Sequence, residues 1–170
     1  EENGIPIDYV TGTSIGAIVG GLYAMGYTPQ EMLDLIGSKE VQQCYSGDID
    51  EDNLYYIKQN DPTPSLYTIK ANIDDSATVV QALPLSIIDP VHMNIKIPEL
   101  CIQATAACDG DFDSLFVPFR CVASDVYNKR EIVFSQGDLG DAVRASMTFP
   151  LVFRPIKIGE VLAYDGGIYN

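Results

Sequence analysis

The chain has 170 residues, of which 46% are hydrophobic and 20% charged, and this ordinary globular composition excludes an intrinsically disordered protein. The net charge of −14 argues against a nucleic-acid-binding protein and against electrostatic capture by anionic lipid. No apolar run approaches the roughly 18 residues that a membrane-spanning helix requires.

The first predicted elements are a strand and a helix joined by a short turn. Residues 5–12 predict the strand, and the apolar residues 15–26 predict a helix that ends at Gly26. Because this helix is apolar nearly all round, we expect it to be buried, with its glycines packed closely against a sheet.

A capping box marks the start of a second helix. Thr28 is the predicted N-cap, Pro29 suits the first helical position, and Glu31 completes the box. The acidic residues 46–52 predict a surface segment, because their spacing does not fit a calcium loop. Residues 65–73 alternate in polarity and predict a strand.

The middle of the chain is apolar but broken by prolines. Pro84 and Pro90 interrupt residues 79–93, which form either a mobile cover over a site or a buried connection. Residues 98–110 predict a helix that has Pro98 near its start.

Four strands and one helix are predicted in the C-terminal part. The strands are residues 119–126, 130–134, 152–158 and 160–167, and the helix, residues 137–147, is capped by Asp138. Since strands and helices alternate over the first half of the chain, we expect an α/β fold with a mainly parallel sheet and helices on both faces.

The four cysteines form no CxxC pair and no metal-ligand group. They are Cys44, Cys101, Cys108 and Cys121. We interpret them as small buried hydrophobic residues.

The sequence GTSIG places Ser14 between the predicted strand and the long apolar helix. A Gly-x-Ser-x-Gly in this context is typical of a nucleophile elbow, in which Gly12 and Gly16 leave room for a tight turn. The helix then directs its N-terminus at the reaction site, and the N–H of Ile15 is a candidate oxyanion donor. The alternative is a turn used for packing or for binding an anion.

A serine nucleophile needs a proton acceptor, and the chain has two candidates. His92 is the sole histidine, but it lies in mid-chain without an obvious acidic partner, and a surface or loop role suits it better. Asp165 follows an apolar strand and precedes two glycines, so its carboxylate is a candidate general base. Taken alone, Asp-Gly-Gly is also a plain turn signal.

Four blocks in chain order resemble the patatin-like phospholipase family. They are IDYVTGTSIGAIVGGLYAMG, PFRCVASDV, AVRASMTFPLVFRPI and YDGGIYN, and from the first block to the last they span nearly the whole chain. The resemblance implies one partial patatin-like domain, residues 1–170, with a three-layer α/β/α sandwich around a mainly parallel sheet.

The resemblance also implies a Ser–Asp dyad that hydrolyses phospholipids and other lipid esters through an acyl-enzyme. Ser14 is then the nucleophile and Asp165 the general base. The remaining motif positions are Gly12, Thr13, Ile15, Gly16, Gly166 and Gly167. The implied substrate is a lipid at a membrane surface, and the chemistry requires neither cofactor nor metal.

Family members carry a Gly-rich loop upstream of the serine block, which supplies oxyanion donors. The chain opens at Glu1, after the point where that loop and the first strand stand, so we expect the 170 residues alone to be inactive. In some bacterial relatives such a domain is followed by further domains, including one in the outer membrane. The expected compartment is then the cell envelope, provided that a signal peptide precedes the domain.

Several other polar residues have two interpretations. Arg144, Ser146 and Pro150 match the family's Arg-Ala-Ser…Pro segment; they shape the floor beside the dyad or simply form a helix end and a turn. Asp125 ends a strand but lacks following glycines, so it ranks below Asp165 as the acid. The alternative function is a non-catalytic domain of the same fold that binds lipid or a protein partner.

Overall fold

A computed structural model describes residues 4–48 and 87–169. The predicted α/β class is confirmed, since the helices pack on a mixed sheet. The helices are α1 (Ile15–Ala24), α2 (Pro29–Ile36), α3 (Lys39–Ser46), α4 (Val91–Ala107) and α5 (Leu139–Ser146). The strands are β1 (Val10–Thr13), β2 (Phe119–Asp125), β3 (Arg130–Phe134), β4 (Ile156–Ile158) and β5 (Val161–Asp165).

The strand β2 is the centre of the described sheet. It pairs with β1 in parallel and with β3 and β5 in antiparallel orientation, and β4 extends the sheet beyond β5. The predicted parallel arrangement is therefore seen at β1 and β2, whereas the other pairings in the described part are antiparallel. Short turns join β2 to β3 and β4 to β5, and a short turn necessarily returns the chain in the opposite direction.

The helix α1 follows β1 after a single residue, and one of its sides is buried. A Cβ added to Gly20 would lie 2.9 Å from Cγ1 of Val10 and 3.2 Å from Cε2 of Phe119, so glycine permits close packing on β1 and β2 as predicted. Ile15 and Val19 are 59% and 40% exposed. The prediction that this helix is buried nearly all round is therefore wrong.

The helix α2 begins as its sequence predicts. The Thr28 side chain accepts a hydrogen bond from the N–H of Glu31, the Glu31 carboxylate accepts one from the N–H of Thr28, and Pro29 occupies the first helical position. The sequence analysis did not predict α3, which is capped by Ser38 through the N–H of Val41.

The helix α4 starts earlier than predicted. It begins at Val91, whose N–H donates to the Asp89 carboxylate, and Pro98 lies inside it. The Pro98 signal was misleading because Pro90, directly before Val91, also supports a helix start. Residues 91–93 of the apolar stretch 79–93 thus belong to α4.

Several predictions fall on parts of the chain outside the described residues. These are the strand at 65–73, residues 49–52 of the acidic segment and residues 79–86 of the apolar stretch. Among the later elements, β2 and β3 form the predicted hairpin, Asp138 caps α5 through the N–H of Asp141, and β4 and β5 flank Gly159. The strand predicted at 152–158 is a strand only over Ile156–Ile158, because residues 152 and 153 belong to a turn closed on the carbonyl of residue 149.

The main core lies between β2 and the helices α1, α4 and α5. Met93, Phe112 and Phe119 are fully buried in it. All four cysteines are free and buried, which confirms their predicted role as small hydrophobic residues. Burial raises the pKa of the Cys101 and Cys121 thiols to about 12, so both stay protonated.

In the two described ranges, no helix combines the length and the apolar character needed to cross a membrane.

Candidate active site

Ser14 is the single residue between β1 and α1, and its backbone is strained. Its φ of 55° and ψ of −123° are unusual for a residue with a side chain and cost about 1–3 kcal/mol. The half-buried side chain makes no hydrogen bond that caps α1. The hydroxyl is therefore held at the end of a strand without being used to start the helix, as in a nucleophile elbow.

The two glycines of the motif have different surroundings. A Cβ on Gly12 would lie 2.2 Å from the carbonyl oxygen of Gly16, so only glycine fits there. Among the described residues, a Cβ on Gly16 would meet no atom within 4 Å outside its own helix backbone. The predicted steric reason for a glycine thus applies to Gly12, whereas at Gly16 it is wrong.

The sheet register brings the ends of β1 and β5 together. Both strands lie on the edge of β2 opposite β3: Thr13 is in register with Val122, and Asp165 with the next residue, Ala123. Because β1 is parallel and β5 antiparallel to β2, their carboxyl ends meet head to head. The residues that follow β1 and end β5 thus lie at one point on the edge of β2.

Gly166 shows how close this junction is. A Cβ there would lie 2.2 Å from the carbonyl oxygen of Val122 and 2.9 Å from Cγ2 of Thr13. The residue after Asp165 is thus packed against the residue before Ser14, and no side chain fits between them.

The Asp165 side chain is 5% exposed, and its two oxygens differ. Oδ1 accepts a hydrogen bond of 2.7 Å from the N–H of Gly167, as the turn interpretation of Asp-Gly-Gly predicts. Oδ2 is buried and has no hydrogen-bond partner in the described part of the chain. A buried, unpartnered carboxylate oxygen is unfavourable, and it is free to accept a proton.

Helix α5 contacts both ends of this junction. The Ser146 hydroxyl accepts a 3.0 Å hydrogen bond from the N–H of Ser14 and donates a 2.6 Å bond to the carbonyl of Val122. The carbonyl of Thr148, two residues on, accepts a 2.8 Å bond from the N–H of Asp165. The family motif singled out Ser146, but no sequence signal pointed to Thr148, because its contact is made by the backbone.

Arg144 is 2% exposed and contacts neutral acceptors. Its Nε donates to the Asn94 side chain, Nη1 to Oγ1 of Thr148, and Nη2 to the carbonyl of Arg154. Burial lowers the pKa of the guanidinium to about 10, so it is charged at neutral pH. Pro150 lies in the turn that follows, where the N–H groups of residues 152 and 153 donate to the carbonyl of residue 149.

A cavity of about 540 Å³ lies between α4, α5 and the segment before β4. Asp89, Asn94, Arg144 and Arg154 contribute to its wall, and neither Ser14 nor Asp165 lines it. It is therefore not the space in which a reaction at Ser14 would occur.

His92 lies in the first turn of α4 and is half-buried. Its Nε2 is buried, and within the described residues this atom has no hydrogen-bond partner. No hydrogen bond or ion pair of the described part joins His92 to Ser14 or to a carboxylate, and none joins Ser14 to Asp165. Hydrogen bonding therefore does not distinguish the two candidate bases, and Asp165 is favoured by the meeting of the strand ends.

Asp125, the rival acid, is fully buried but its carboxylate is fully engaged. It accepts hydrogen bonds from the N–H and Nδ2 of Asn128 and from Nε of Arg130, which closes the β2–β3 turn. The hydrogen bonds from Asn128 hold the pKa of this carboxyl below its usual range, and Arg130 adds to the effect. This arrangement suits a turn rather than a proton acceptor.

We expect Asp125→Asn to lower the melting temperature at pH 7. A depressed pKa means that the carboxylate stabilises the fold above its unfolded-state pKa, near 3.9, and that this contribution is lost as the pH falls below it. The difference between wild type and variant should therefore shrink between pH 5 and pH 2.5, as thermal unfolding followed by circular dichroism would show. Glu131→Gln, on exposed β3, is the control; an equal loss in both variants would contradict the role of Asp125.

No group of three or more His, Cys, Asp or Glu side chains suited to a metal ion occurs in the described part of the chain.

A family model described as "Patatin-like phospholipase" matches residues 1–170. The chain belongs to the patatin-like phospholipase family. The resemblance of the four sequence blocks is thereby confirmed.

Curated relatives of this patatin-like chain carry NTE names. An uncharacterized NTE family protein of Mycobacterium bovis is 26% identical over an alignment of 171 positions, which covers 99% of the chain and 37% of that relative. Lysophospholipase NTE1 of Kluyveromyces lactis is 74% identical over 27 residues, 16% of the chain and 2% of that relative. Lysophospholipase NTE1 of Yarrowia lipolytica is 67% identical over a stretch of the same length. The chain thus spans well under half of the curated relatives it matches.

Proposed function

We propose that the protein is a serine lipid acyl hydrolase of the phospholipase A or esterase type, which uses a Ser14–Asp165 dyad. One observation carries the proposal: the carboxyl ends of β1 and β5 meet on one edge of β2. In support of the proposal, the strained residue Ser14 directly follows β1, and Asp165 at the end of β5 has a buried carboxylate oxygen without a hydrogen-bond partner in the described residues. Membership of the phospholipase family supports lipid esters as substrates.

The reaction proceeds in two halves. Asp165 accepts the proton of the Ser14 hydroxyl while Oγ attacks the ester carbonyl carbon, which forms a tetrahedral oxyanion. The carbon–oxygen bond to the alcohol then breaks, and the leaving alkoxide takes the proton from Asp165. A water molecule attacks the acyl-enzyme, Asp165 accepts its proton, and collapse releases the fatty acid and returns that proton to Ser14.

The oxyanion needs preorganised donors. The N–H of Ile15 occupies the first position of α1 and has no partner within the helix, and the positive end of the helix dipole lies at the same place. We propose that an upstream Gly-rich loop supplies further donors. Since loss of one donor costs about 10²- to 10³-fold in kcat, the 170 residues alone should be inactive.

The NTE names suggest a first substrate class. Several relatives are named lysophospholipases, so we propose that lysophospholipids, which have one acyl chain, are among the substrates. The protein would then act at a membrane surface, and we propose the cell envelope as its compartment.

The test is covalent labelling of the full-length protein with a fluorophosphonate, followed by peptide mass spectrometry, together with fatty-acid release from lysophosphatidylcholine. We expect the label on Ser14 and neither label nor release in Ser14→Ala, because the probe requires an activated serine. A label on another residue, or release that survives in Ser14→Ala, would contradict the dyad. A full-length protein that hydrolyses no ester of any chain length would favour a lipid- or partner-binding domain instead.

A further inference from the structure

We propose that the C-terminal end of α5 positions both reacting groups, with Ser146 as the positioning residue for Ser14. This inference rests on the proposed function and adds residues that do not touch the reacting atoms. The segment concerned runs from Arg144 to Thr148, and its three polar side chains, Arg144, Ser146 and Thr148, are all buried.

The direction of the Ser146 contacts follows from its single proton. The 2.6 Å bond to the Val122 carbonyl uses the hydroxyl hydrogen, so the oxygen accepts the 3.0 Å bond from the N–H of Ser14. Val122 is the last residue of β2 in register with β1, and its place is fixed by the sheet. Ser146 thus ties the backbone of Ser14 to the central strand.

The hydrogen bond to Ser146 stabilises the strained backbone conformation of Ser14. Ser14 has a φ of 55°, and a strained residue of this kind persists only where its surroundings hold it. The Ser146 hydroxyl holds the N–H on the strand side of Ser14, while α1 holds the other side. The orientation of the Ser14 hydroxyl depends on both.

The same segment fixes Asp165. The Thr148 carbonyl accepts the 2.8 Å bond from the N–H of Asp165. The Thr148 hydroxyl accepts a 2.6 Å bond from Nη1 of Arg144 and donates a 2.9 Å bond to the Arg144 carbonyl, so the turn after α5 is held from two directions. One short segment therefore sets the position of the base relative to the nucleophile, which proton transfer requires to within hydrogen-bond reach.

Ser124 offers a matched control. It is a fully buried serine on β2, as Ser146 is on α5, but its hydroxyl has no hydrogen-bond partner in the described residues. Alanine at either position removes one buried oxygen. At Ser146 alone it also releases the N–H of Ser14 and the carbonyl of Val122.

The experiment compares Ser146→Ala with Ser124→Ala in the full-length protein, with lysophosphatidylcholine as substrate and a fluorophosphonate as probe. For Ser146→Ala we expect kcat to fall by about 10- to 10²-fold and KM to change by less than about two-fold, because the reacting groups are misplaced while substrate binding is retained. The rate constant of labelling should fall by a similar factor, while the fraction finally labelled stays at the wild-type value. Ser124→Ala should stay within about two-fold of wild type in every measurement.

The labelled fraction separates positioning from folding. If the lost activity of Ser146→Ala matches a smaller labelled fraction at an unchanged rate constant, the residue is merely structural and the proposal is wrong. The proposal is also wrong if kcat of Ser146→Ala equals the wild-type value, or if Ser124→Ala loses as much activity as Ser146→Ala. These outcomes differ from failure of the proposed function, in which wild type itself releases no fatty acid or Ser14→Ala remains active.

Discussion

Asp165→Asn is expected to lower kcat by about 10²- to 10⁴-fold, the usual contribution of a positioned general base. The asparagine side chain keeps an oxygen that accepts the hydrogen bond from the N–H of Gly167, so the turn after β5 should remain. What it loses is the ability to take the proton of Ser14. Fatty-acid release over a pH series, with the melting temperature measured on the same preparation, checks this result.

His92→Ala is the matched test of the competing mechanism. His92 has a ring nitrogen without a partner in the described part of the chain, so its substitution should leave kcat within a few-fold of wild type. If His92→Ala abolishes turnover while Asp165→Asn does not, the protein is a Ser–His esterase and the dyad is wrong.

Gly12→Ala should lower the free energy of unfolding by about 3 kcal/mol or more, and with it the yield of folded protein. The added Cβ would lie 2.2 Å from the carbonyl oxygen and 2.5 Å from the carbonyl carbon of Gly16. These are backbone atoms of α1, so the clash can be relieved only if β1 and α1 separate. Chemical denaturation of wild type and variant measures the loss.

Gly16→Ala is the control for this prediction. An added methyl group there meets no atom of the described residues within 4 Å, and alanine favours a helix over glycine by about 1 kcal/mol. We expect the variant to be as stable as wild type or slightly more so. If both substitutions destabilise the protein equally, the cause is the addition of any side chain to this motif and not the specific clash of a Gly12 Cβ with the backbone of Gly16.

Local signals in the sequence predicted most of the elements correctly. Thr28, Asp138 and the Ser14 turn each act within a few residues, and the corresponding caps and turn are present. The start of α4 was missed because Pro98, which suits a first helical turn, lies inside a longer helix whose N-cap is Pro90.

The geometry between Ser14 and Asp165 could not be predicted in the same way. It depends on β1 ending at Thr13 and β5 pairing from Ala123 of β2, and such a register is set by the packing of the whole sheet. The family resemblance assigns both residues to one dyad but does not predict that their strands meet end to end. The contacts of Ser146 and Thr148 could not be predicted from the sequence either, because they join segments that are far apart in the chain.

The head-to-head junction of β1 and β5 has a consequence for the order of events during synthesis. Ser14 and Asp165 stand about 150 positions apart, so their proximity is among the longest-range contacts of the chain and should form late in folding. On the proposed dyad mechanism, Ser14 lacks its base until β5 docks beside Ala123. On the proposed mechanism, hydrolysis of a lipid ester therefore requires that β5 has already paired with β2.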